Sequence, residues 1–143
     1  MTPKEYLSQI RRLDVLIKQR MEQKEELRQL CGLSGQGMSE KVQSSPKGEA
    51  SFVRIVEKIE SLEEEINGLI DKFVDTKDII IEQIQALPDV RYSQVLFQRY
   101  VEGKRLEAIA VDMNYSYHRM KHIHGYALRA FGEKYPDFIK IDT

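Results

Sequence analysis

Residues 116–122 read Ser-Tyr-His-Arg-Met-Lys-His, and every side chain in the run except Met120 can make a polar contact. Arg119 and Lys121 only donate, Tyr117 offers a ring and a hydroxyl, and His118 and His122 add ring donors. On a helix such a set can hold phosphates and reach base edges, arginine being the usual reader of guanine. Lys104 and Arg105, upstream, are further candidates for phosphate contacts. Each candidate also has a plain alternative. Arg119 and Lys121 can belong to a solvated helix face, Lys104 and Arg105 can be ordinary loop charges, and Tyr117 can pack on a neighbouring helix. His118 and His122 are four apart, a spacing that also suits zinc. A zinc site needs three or four ligands, however; His124 points elsewhere and the single cysteine, Cys31, is remote. No metal and no cofactor are expected. With no glycine-rich phosphate loop, nucleophile elbow or paired-carboxylate motif, an enzyme is not expected either.

The elements that must position these side chains are two short helices within residues 105–128. Leu106, Ile109, Ala110 and Met113 share one face of the first. Met120, Ile123, Ala127 and Leu128 face inward on the second. Asn114 tolerates the left-handed turn between them, Ser116 caps the second helix, and the small Ala110 permits a close crossing. Upstream, Leu87-Pro88 closes a preceding helix, and residues 89–101 form another with Val90, Val95, Leu96 and Tyr100 inward. Gly103 stops that helix.

The first part of the chain has another character. Residues 4–30 predict an amphipathic helix, capped by Thr2 with Pro3 in its first turn, whose apolar face holds Leu7, Ile10, Leu13, Ile17, Met21, Leu27 and Leu30. Residues 31–50, rich in glycine and serine, predict a flexible loop. From 51 to 87, steps of three and four pass through Phe52, Ile55, Ile59, Leu62, Ile66, Leu69, Phe73, Thr76, Ile80, Gln83 and Leu87, and nine of these eleven positions are apolar. Val56, Ile70, Val74, Ile81 and Ile84 widen the stripe, and the polar Thr76 and Gln83 can set register. The expectation is an all-α chain. Residues 1–87 form a long antiparallel helical hairpin, coiled-coil-like and able to pair with a second copy as a homodimer. Residues 88–135 form a three-helix, helix-turn-helix DNA-binding domain, and residues 136–143 a tail.

Charge agrees with that division. Residues 1–87 hold 13 Lys+Arg against 16 Asp+Glu, a net of −3, whereas residues 88–143 hold 9 against 7, a net of +2. Whole-chain charge, −1, gives no nucleic-acid signal by itself. One cysteine, no signal-peptide pattern and no apolar run of membrane-spanning length make a cytoplasmic protein without membrane association the expectation.

The run LPDVRYSQVLFQRYVEGKRLEAIAVDMNYSYHRMKHIHGYAL resembles region 4 of bacterial sigma factors. It has the opening Leu-Pro, a helix ending in Arg99-Tyr100, then Glu102-Gly103, Leu106-Glu107-x-Ile109-Ala110, a turn, Ser116, and the spacing Met120-x-x-Ile123-x-x-x-Ala127-Leu128. The likeness covers about residues 80–131. With the helical arm before it, the layout is similar to small phage and prophage regulators of low-G+C Gram-positive bacteria. That resemblance implies double-stranded DNA as partner, late-gene transcription as the process and RNA polymerase as a further contact. It also implies that Tyr117, His118, Arg119, Lys121 and His122 read a promoter major groove. Tyr117, His118, His122 and Gly125 depart from the Arg- and Lys-rich pattern of sigma factors, so base preference does not carry over. Two other assignments fit the same layout: a DNA-packaging subunit like the phage small terminase, and a helical adaptor that binds protein and not DNA.

Overall fold

The computed structural model describes residues 1–36 and 46–139. Among them the chain is all-α, without strands. Helix α1 (Pro3–Leu7) leads almost directly into α2 (Gln9–Gln36), and α3 (Pro46–Gln85) follows. Then come α4 (Val90–Leu96), continued by a π-helical turn over Phe97–Val101, α5 (Leu106–Asp112), α6 (Tyr117–Lys134) and the short α7 (Pro136–Ile139).

Local chemistry sets the ends of these helices. Thr2 Oγ1 accepts from the Glu5 backbone N–H at 3.1 Å while Glu5 Oε2 accepts from Thr2 N at 3.3 Å, a reciprocal cap. Ser8 interrupts the helix expected over 4–30, and its hydroxyl donates to the Lys4 carbonyl at 2.6 Å. Asp89 caps α4 through the Arg91 N–H at 2.9 Å. The π turn closes through the Glu102 N–H on the Phe97 carbonyl, and Gly103, at φ 74°, lets Lys104 N reach the Gln98 carbonyl at 3.0 Å.

Two expectations change here. The loop placed over 31–50 does not hold at either end, because 31–36 belong to α2 and 46–50 to α3; residues 37–45 lie outside the described residues. Residues 136–143 begin with a helical turn, α7, and 140–143 also lie outside. Pro136 accounts for that restart, since its fixed φ suits a first helical position.

The compact units also divide the chain differently from a boundary at Leu87-Pro88. One unit is Asp14–Lys72. The other joins Met1–Leu13 to the chain from Phe73 onward. In the first unit, Ile17, Leu62 and Ile66 are buried, and Arg20 and Lys24 lie 3.5 and 4.0 Å from Glu65 and Glu63. The partner's number falls as the first rises, the order expected of helices running in opposite directions. Met21 and Leu30, expected on the apolar face of α2, are each 49% exposed.

In the second unit two clusters form the core. One gathers Tyr6, Leu7 and Ile10 with Ile80, Ile84, Leu87, Leu96, Tyr100, Ala127 and Phe131. The other holds Val95, Ile109, Ala110, Met120 and Ile123. This explains why the N-terminal residues join this unit: burying three large side chains from α1 and the start of α2 contributes several kcal/mol, at roughly 1.5–3 kcal/mol for each side chain. A Cβ built on Gly132 of α6 would lie 2.9 Å from Pro3 Cγ, so α1 and α6 approach closely because this position has no side chain.

The ten seam positions on α3, and Leu87 just beyond it, are all buried or half-buried, and the polar Gln83 has a specific reason to be there. Its Oε1 accepts from Tyr6 Oη at 2.7 Å, and its backbone carbonyl accepts from Tyr135 Oη at 2.9 Å. Ile70 and Val74, expected to widen the stripe, are exposed. So is Val90, at 75%. At about 100° per residue, Val90 lies roughly 140° and 120° from the buried Val95 and Leu96, on the far side of α4. Phe131→Ala is therefore expected to lower unfolding free energy by about 3–5 kcal/mol, while Val90→Ala changes it by no more than about 0.5 kcal/mol. Urea denaturation measures both, and a comparable loss for Val90→Ala would contradict this packing.

Candidate functional site

Helix α6 has one buried row, Met120, Ile123, Ala127 and Phe131, packed against α4 and α5 and, at its far end, α1. The three residues before α6 set its start. Asn114 sits at φ 60°, Tyr115 N reaches the Ala110 carbonyl at 2.9 Å, and Ser116 Oγ accepts from Arg119 N at 3.1 Å. Ser116 is thus fixed as a cap. Between Tyr117 and Gly132 the helix has no carboxylate.

The remaining candidates on α6 fall on two flanks and an outer ridge. His118 and His122 form the ridge, with ring centroids 4.8 Å apart and nearly perpendicular. On one flank Lys121 lies over the Tyr117 ring at 5.1 Å. On the other, Arg119 lies over Tyr115 at 5.5 Å. Such cation–aromatic contacts, four residues apart, limit where the charged ends can point. All five side chains are exposed.

The Arg119 flank faces α4 across a cleft of about 450 Å³. His118, Arg119, His122 and Tyr126 line it from α6, and Arg91 from α4. The half-buried Tyr92 and the buried Ile123 supply its apolar lining. Arg91 forms a bidentate pair with Asp89, with Nη2 at 3.2 Å and Nε at 3.4 Å from its oxygens. Hydrogen bonding from Arg91 holds the Asp89 carboxyl below its ordinary range.

Lys104 and Arg105 stand apart from this cleft. Lys104 Nζ is 3.3 Å from Asp112 and 4.0 Å from Glu102, so neighbouring carboxylates already balance its charge. Arg105 occupies the N-cap of α5 and its side chain makes no capping bond. Among the described residues no group of three or more His, Cys, Asp or Glu could hold a metal ion, and no helix is long and apolar enough to cross a membrane.

Arg91, Tyr126 and His124 were not among the sequence candidates. Tyr126 follows His122 by four and Arg119 by seven, so helical spacing does reveal it. Arg91 enters only through the packing of α4 on α6, which spacing does not encode. His124 turns inward, where Tyr100 Oη is 2.8 Å from its Nε2 and the rings stack with centroids 5.7 Å apart. Burial first, then the charges of Arg99 and Lys4, lower the His124 pKa to about 4, while burial raises Tyr100 to about 12.

No protein-family model, curated protein or solved structure matches this chain.

A histidine with a lowered folded-state pKa favours the unfolded chain as pH falls, because the unfolded imidazole, near 6.5, takes up the proton first. The stability due to neutral His124 is present above about pH 6.5 and drains away toward pH 4. Melting curves at pH 7 and pH 5 should therefore show a larger loss for the native chain than for His124→Gln. Equal losses would remove His124 as the cause.

Proposed function

We propose that this chain is a sequence-specific DNA-binding transcriptional regulator. In this reading α5, the turn around Asn114 and α6 act as a helix-turn-helix similar to sigma region 4, with α6 in the major groove. One observation carries it. The N-terminal half of α6 exposes Tyr117, His118, Arg119, Lys121 and His122 together on a stretch without a carboxylate, while its buried row anchors the helix from behind. Donors that avoid acidic neighbours and project from a rigid helix suit phosphate oxygens and base edges. The Asp14–Lys72 unit, as an antiparallel hairpin, is the part suited to pairing two copies; a dimer would match two half-sites. The resemblance to phage and prophage regulators makes late-gene control in the cytoplasm the natural setting, with RNA polymerase as a further contact.

A second reading, a protein-binding adaptor, draws on the ion pairs of Lys104 with Asp112 and of Arg91 with Asp89, which offset two cations of the same unit. Salt dependence separates the two. A regulator that neutralises phosphates loses affinity steeply as salt rises, and an adaptor shows no such DNA binding.

The double substitution Arg119→Ala with Lys121→Ala should abolish binding to promoter fragments in gel-shift assays and leave the circular dichroism spectrum unchanged. Both side chains are exposed, so folding does not depend on them. Promoter binding at native strength by this variant would sink the assignment.

A further inference from the structure

The cleft between α4 and α6 has a composition that the base-reading face alone does not require. Its guanidiniums come from different helices, Arg91 from α4 and Arg119 from α6, and its imidazoles, His118 and His122, lie beside them. No carboxylate lines it. Asp89 takes Nε and Nη2 hydrogens of Arg91 and Tyr115 also hydrogen-bonds that side chain, so the guanidinium is oriented while part of its five N–H donors is left for a ligand. Each imidazole has at least one N–H donor in any protonation state. Tyr126, 55% exposed, adds a hydroxyl at the rim. The buried contacts of Val95 and Ile123 hold the two helices, and hence the two arginines, in place.

Donors on two sides of an open cleft suit a tetrahedral oxyanion with several acceptor oxygens. We propose that this cleft is a phosphate site, with Arg91 as the phosphate-binding residue contributed by α4. A backbone phosphate of the DNA held by α6 is its source. That source rests on the regulator reading: His118, Arg119 and His122 belong to both the cleft and the reading face, so one duplex can meet both. A phosphate contact of this kind fixes register and carries no base preference.

The test uses the full chain and Arg91→Gln, which keeps the Asp89 cap because that bond comes from the residue's backbone N–H. Arg129→Gln, an exposed arginine on α6 outside the cleft, controls for loss of one charge. Fluorescence anisotropy of promoter and scrambled duplexes is followed across salt concentrations. Expected for Arg91→Gln is weaker binding to both duplexes by the same factor, with a salt slope smaller by about 1, while Arg129→Gln keeps the native slope. In a second arm, inorganic phosphate is titrated into DNA-free protein while the side-chain N–H resonances of Arg91 and Arg119 are followed by NMR. Saturable shifts in the native chain that vanish in Arg91→Gln support a phosphate site whether or not DNA binds. If these shifts occur while the native chain binds no duplex, the regulator reading falls and the site takes a free phosphate. If DNA binds, the Arg91→Gln slope is native and phosphate moves neither resonance, the site is overturned and the regulator reading stands. If neither DNA nor phosphate binds, both fall.

Discussion

The buried row of α6 is the constraint on which the second unit depends. Met120 and Ile123 belong to one apolar cluster, with Val95, Ile109 and Ala110. Ala127 and Phe131 belong to the other, with Tyr6, Leu7, Ile84 and Leu96. One helix therefore serves two cores along one side. Rotating it would withdraw four buried side chains at once, at roughly 1.5–3 kcal/mol for each large one. The direction of the opposite side, with His118 and His122 on its ridge, follows from that burial. So does the position of Arg119 across from Arg91, since α4 contributes Val95 to the first cluster and Leu96 to the second.

Buried polar groups refine the same arrangement. Tyr6, Gln83 and Tyr135 join three separated parts of the chain through two hydrogen bonds. Hydrogen bonds of this kind are modest in net energy, about 1 kcal/mol, but leaving a buried partner unmet costs more. They therefore penalise a slipped register of α3 more than they stabilise the right one. The Tyr100–His124 pair acts likewise between the π turn and α6.

Much of this was legible in the sequence where one residue type answers to one local demand. Gly103 and Asn114 take positive φ, Ser116 and Thr2 cap helices, and the steps of three and four along α3 mark a face on which no position is fully exposed. What spacing does not encode is the identity of the covering partner. Proximity in the chain pairs the apolar face of residues 4–30 with the helix after it, whereas Leu7 and Ile10 also share a cluster with Ala127 and Phe131 of α6, far along the sequence. Arg91 reaches the cleft only through the packing of α4 on α6, and Val90, though apolar, is turned outward by the phase of α4. Helical spacing turns His124 away from His118 and His122 without showing what it meets. An imidazole fits water or a core equally well, and only the nearby Tyr100 hydroxyl decides.

The return of the N-terminal residues to the last long helix has a kinetic side. Tyr6 and Gln83 are 77 positions apart, and Phe131 is farther still from Tyr6. Contacts between such distant positions slow folding, because a long loop must close before they are gained. On a ribosome, Leu7 and Ile10 emerge long before Phe131, more than 100 positions later, and wait for it. Until then the apolar positions of α1 and the start of α2 lack the cover they have in the folded unit. The second unit is completed only after nearly all of its chain has been synthesised, and its first residues are the ones left longest without their final partners.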